Sequence, residues 1–149
     1  MSADRTRALG VLALLVAGCG GSSEPLAPQP SLSVSAVEAR SADGTYAVRW
    51  EPVGGAIPDA EPFDIRFAVR RCDGRALPNA ATFTVDAEMP HHGHGMNLVP
   101  LVERLGRSPE GEIVRASGML LHMPGRWVLS IDIEEAGVAE RTQWFVDVE

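Results

Sequence analysis

The chain has 149 residues, 45% of them hydrophobic and 22% charged, which is enough apolar material for one packed domain and too little length for two. Its formal net charge is -7, it contains no lysine, and no run of arginines stands out, which argues against nucleic acid as a partner.

Residues 1–18 read as an export signal. Arg5 and Arg7 form a basic start, Ala8 to Val16 is a continuous apolar run too short to span a bilayer, and Ala17 and Gly18 are small. Leu15-Val16-Ala17-Gly18-Cys19 resembles the lipobox of bacterial lipoproteins, with Val16 standing where leucine is preferred. The resemblance implies that signal peptidase II cuts before Cys19 and that the Cys19 sulfur carries diacylglycerol, with acylation of the new amino group. Two or three acyl chains, each buried methylene contributing about 0.8 kcal/mol, anchor such a protein firmly. The expected location is the cell envelope, facing the periplasm. Gly20 follows Cys19 in place of the aspartate that signals inner-membrane retention in enteric bacteria, which leans toward the outer membrane. Residues 19–31 (CGGSSEPLAPQPS) are the lipidated cysteine and a flexible tether. With Cys19 lipidated, Cys72 has no partner for an intramolecular disulfide, and it is expected as a buried small hydrophobe.

From residue 32 to 149 the pattern is β throughout. Leu32 to Ala39 is the first expected strand, and Asp43-Gly44 turns the chain into Tyr46 to Trp50. Pro52 to Pro62 reads as loop. Phe63, Ile65, Phe67 and Val69 alternate with polar residues as a half-buried strand does, and Asp73-Gly74 ends it. Further strands are expected over Thr82 to Asp86, Val99 to Leu105, Glu112 to Leu120, Arg126 to Ile133 and Val138 to Val148, with Glu135 to Gly137 as a turn. No mature segment has helical periodicity. Seven or eight short strands at this spacing predict an all-β fold, a single immunoglobulin-like antiparallel sandwich, with the three tryptophans packed in its core.

Two segments depart from scaffold composition. Met89-Pro90-His91-His92-Gly93-His94-Gly95-Met96 and Met119-Leu120-Leu121-His122-Met123 hold every histidine and every methionine except the initiator. Thioether sulfur selects Cu(I) and imidazole serves both copper oxidation states, so copper is the metal this donor set fits. Zinc is the weaker match, since a structural zinc site takes four Cys or His ligands and leaves the methionines unexplained. The ligand pool is His92, His94, Met96, His122 and Met123, with Met89, His91 and Met119 in reserve. Gly93 and Gly95 are expected at positive φ, bending His94 toward a shared centre. The competing reading has the histidines bonding backbone at a rigid corner and the methionines filling core gaps, in a non-metal interaction module of an envelope complex.

The same residues carry a family resemblance. Met89, Pro90, His92, His94 and Gly95, followed by Met123, Gly125 and Trp127 before an outgoing strand, resemble the YtkA-like domain family over about residues 60–149. That resemblance implies a small exported or membrane-anchored immunoglobulin-like sandwich with a suggested role in copper handling, as chaperone, store or sensor, and an envelope copper protein as partner. His94-Gly95-Met96 also resembles the His-x-Met element of PCuAC-type periplasmic copper chaperones. Enzymatic activity is not expected. Ser117 and His122 come without a marked oxyanion hole, and Glu134-Glu135 reads as a solvated hairpin tip.

Overall fold

A computed structural model describes residues 31–33 and 36–149. The export signal, Cys19 and nearly all of the tether lie outside them. The described residues form nine strands and no helix. These are β1 (Val37–Arg40), β2 (Tyr46–Pro52), β3 (Phe63–Arg71), β4 (Thr82–Met89), β5 (His94–Gly95), β6 (Leu101–Ser108), β7 (Gly111–Met119), β8 (Gly125–Glu135) and β9 (Val138–Val148). They make two antiparallel sheets, β1-β2-β3-β7-β6 and β5-β4-β8-β9, packed as an immunoglobulin-like sandwich. The ninth strand, beyond the seven or eight expected, is the two-residue β5.

Alternation builds the core. Ile65, Phe67 and Val69 of β3 turn inward with Val48 of β2 and Val114 of β7, and meet Val85 of β4 and Trp127, Ile131 and Ile133 of β8. Two edge-to-face aromatic pairs span the sheets: Trp50 with Trp144 at 6.2 Å and Phe67 with Phe83 at 5.7 Å. All three tryptophans are buried. Each large apolar side chain removed from water contributes about 1.5–3 kcal/mol, so this interior fixes the register of both sheets.

Four expectations are corrected. The first strand is not Leu32 to Ala39 but Val37–Arg40; Leu32 instead lies over the outer face of the first sheet, against Ala68 and Ile113. β4 runs three residues past Asp86 because Ala87 and Met89 also turn inward. Cys72 is exposed, not buried: it follows the last β2–β3 pair, Tyr46 with Arg71, and Arg40 Nη1 donates to its Sγ at 2.9 Å. Glu134-Glu135 closes β8 beside the hairpin turn, with Glu134 exposed as expected but Glu135 half-buried and bonded. Glu135 accepts from Tyr46 Oη at 2.6 Å and pairs with Arg71. Burial first, and then the bond to Glu135, push the Tyr46 phenol up to about 12.

Candidate functional site

The His/Met segments are placed by strand ends. β4 ends at Met89, whose carbonyl accepts the N–H groups of His92 and Gly93, both at 3.0 Å, in a tight turn with Gly93 at φ +63°. The turn leads into β5, where Met89 stands opposite His94 and Glu88 opposite Gly95. Met96 N–H then donates to the Ala87 carbonyl at 3.0 Å. Facing residues of an antiparallel pair share a face, and so do residues two apart on one strand. His94 therefore faces the same side of the sheet as Met89, at its rim, and Met96, one residue past β5, packs against the core. Gly93 has the expected positive φ; Gly95 does not, and sits extended in β5.

The second segment is the crossover from β7 to β8. Its departure is fixed by Asp64, whose Oδ1 accepts the Gly118 N–H at 3.0 Å while Oδ2 binds Arg115. The Arg115 hydrogen bonds hold the Asp64 carboxyl below its ordinary range, against the effect of burial and with help from Gly118. The chain then runs through buried Leu121 to half-buried His122 and Met123. Trp127 Nε1 donates to the Met123 carbonyl at 2.9 Å, and the His122 ring stands edge-to-face with Trp127 at 5.7 Å.

The two segments lie at the same end of the sandwich, where β4 ends, β7 ends and β8 begins. Gly125, at φ +125°, leaves open the space beside Met89: a Cβ there would lie 2.8 Å from Met89 Cε. Not all candidate donors take the same position. Met89 and Met119 are 2% and 1% exposed and pack inside the core. Met96 and Met123 are partly buried and rest on that core. His91, His92 and His94 are exposed, and none of the three side chains makes a hydrogen bond or ion pair among the described residues. His122 differs from them: its Nδ1 is buried and has no hydrogen-bond partner among the described residues.

The donor types at this end, imidazole and thioether, are borderline to soft ligands and not hard ones. No three His, Cys, Asp or Glu side chains come together as a metal-binding group among the described residues. Any metal bound at this end would have to take thioether as well as imidazole donors, a mixture suited to Cu(I). Sequence reasoning passed over Gly125 as the seat of the Met89 methyl and Trp127 as the wall behind His122. The run Met123-Pro124-Gly125-Arg126-Trp127 carries both, and a glycine before an inward-facing tryptophan is the signal for such a close approach. No protein-family model, curated protein or solved structure matches this chain.

Proposed function

We propose that this chain is a cell-envelope lipoprotein that binds copper as Cu(I) through imidazole and thioether donors at one end of a β-sandwich. The observation that carries the reading is the buried Nδ1 of His122, without a hydrogen-bond partner among the described residues, at the end of the sandwich where β4 turns into β5 with His94. An unsatisfied buried nitrogen is costly unless something binds it, and a soft cation is a ligand suited to a neighbouring thioether. His94, Met96, His122 and Met123 are the ligands, with exposed His92 available for capture or transfer. Met89 and Met119 serve as packing. Bound copper would supply a soft cation for storage, sensing or delivery to an envelope partner. This is the role that the resemblance to the YtkA-like family also suggests.

The path of the chain supports a membrane-distal site. Leu32 N–H donates to Glu110 Oε2 at 3.1 Å, beside the turn that starts β7, whereas His122 follows the other end of β7. Nine strand residues separate these ends by roughly 30 Å. The chain thus enters the sandwich at the end opposite the His/Met rim.

Competition titration of the purified full chain with Cu(I) and a chromophoric chelator tests the reading. Tight 1:1 binding that weakens in His94→Ala and His122→Ala is expected. Equal, weak competition by the parent and both variants rejects it. A second reading, an interaction module without metal, is favoured by the exposed apolar residues Val99, Leu101 and Leu105 on and beside edge strand β6. It predicts that His94→Ala lowers thermal stability in metal-free buffer.

A further inference from the structure

The outer face of the β5-β4-β8-β9 sheet carries a second feature, separate from the His/Met rim. Strand register places Glu88 opposite Val128 and Val128 opposite Phe145, so the three side chains form one row across β4, β8 and β9. Two strand spacings put the ends of that row roughly 10 Å apart. Phe145 is 74% exposed, an unusual position for an aromatic ring, while Val128 beside it is 8% exposed. A cleft of about 340 Å³ lies along the row, lined by Glu88, Pro90, Val128, Gln143, Trp144 and Phe145.

The charges around the cleft are unequal. Arg126 is held by Asp147 through two bonds, at 2.8 and 3.0 Å, and its guanidinium lies 5.7 Å from the Phe145 ring centre. Arg141 is held by Asp132 in the same way, at 2.7 and 2.8 Å. Each cation of this face is thus paired with a carboxylate, and Arg141 also feels Glu88 and Asp86 at longer range. Asp86 and Glu88, successive outward residues of β4, have no ion-pair partner among the described residues. With Asp86, Glu88, Asp132 and Asp147 against Arg126 and Arg141, the face offers an apolar seat bordered by an excess of negative charge.

We infer that this face docks a partner protein through an apolar side chain seated over Val128 against Phe145, flanked by arginine or lysine paired with Glu88 and Asp86. Charge complementarity selects the partner: a second copy of this chain, with net charge -7 and the same acidic face, would meet like charge with like. The exposed aromatic supplies the central anchor and the carboxylates supply orientation and rate of encounter.

The test uses the full chain and three synthetic peptides. One carries a leucine with arginines two residues to either side, one replaces the arginines with glutamate, and one replaces the leucine with serine. NMR titration should show the first peptide shifting the amides of Glu88, Val128, Gln143 and Phe145, and the other two binding at least about tenfold more weakly. Phe145→Ser and the pair Asp86→Arg/Glu88→Arg should each reduce binding of the first peptide by a similar factor, with melting temperatures unchanged because all three positions are exposed. Equal binding of the three peptides overturns the inference. So does absence of binding, a footprint elsewhere on the chain, or self-association through Phe145.

Discussion

The His122 ring stands against Trp127 at 71°, and Trp127 Nε1 reaches back to the Met123 carbonyl, so one buried indole fixes both residues of the crossover. Trp127 is fully buried and belongs to β8, the strand that pairs with β4. The crossover is thereby tied to the sheet that carries His94. Replacing Trp127 with phenylalanine keeps an aromatic wall but removes the donor. A loss of about 0.5–1.5 kcal/mol from the hydrogen bond is expected, with some further loss from the smaller ring. Urea denaturation measures it, and Cu(I) affinity should fall in the same variant because Met123 is no longer held.

His94→Ala and Met119→Ala should separate binding from packing. His94 is exposed, so its removal should change stability by no more than about 0.5 kcal/mol. Changing only a residue that supports a metal ligand lowers affinity about 10–100-fold, and loss of a ligand itself should reach at least that range. Met119 is 1% exposed in the core, and its truncation should cost about 2–5 kcal/mol and leave Cu(I) affinity of the folded protein unchanged. Thermal melts beside chelator competition read both effects.

Gly125→Ala places a methyl group 2.8 Å from Met89 Cε at a residue with φ +125°. The methionine can swing aside, but the backbone cannot relax without moving the start of β8. Destabilisation of about 1–3 kcal/mol is expected, measured by urea denaturation. A variant as stable as the parent would show that the Met89–Gly125 approach is not a constraint.

Much of this arrangement was legible before any coordinates. Phe63 to Val69 and Trp127 to Ile133 alternate cleanly because each strand faces core on one side and water on the other. That both His/Met segments lie at one end of the sandwich was not readable from local sequence. It depends on β4 running on to Met89 and on β5 pairing back, and neither has a strong local signal. Ala87 is small, Glu88 is charged, and β5 has only two residues. Leu32 misled for a related reason: an apolar residue beside a β-like run reads as strand, yet its partners Ala68 and Ile113 lie on the outer face of the sheet. Cys72 looked like core by residue type, but the strand ends one residue earlier. The paired arginines could not be anticipated, because ion-pair partners are far apart in sequence.

Acid should weaken the fold. Burial raises the Glu51 carboxyl, but hydrogen bonds from Ser33 and Arg66 outweigh it and hold it below its ordinary range. Burial raises Glu140 likewise, and bonds from Ser41 and Thr45 and the Asp43 backbone outweigh it. Asp64 is lowered by Arg115. A depressed folded-state value contributes stability above the unfolded carboxyl range, and that stability is lost as pH falls through the folded value. Unfolding free energy should therefore be level near neutrality and fall below about pH 4. Glu51→Gln should flatten the fall, as measured by urea titrations across that range; an unchanged pH profile in the variant would assign the acid sensitivity elsewhere.

X-ray absorption at the copper K edge of the Cu(I)-loaded full chain addresses the proposed centre most directly, since it counts the donor types around the ion. The expected spectrum contains both nitrogen and sulfur scatterers around one copper, with a nitrogen contribution lost in His122→Ala and a sulfur contribution lost in Met96→Leu. A shell of nitrogen and oxygen alone, or one unchanged by both substitutions, would contradict a shared imidazole–thioether site.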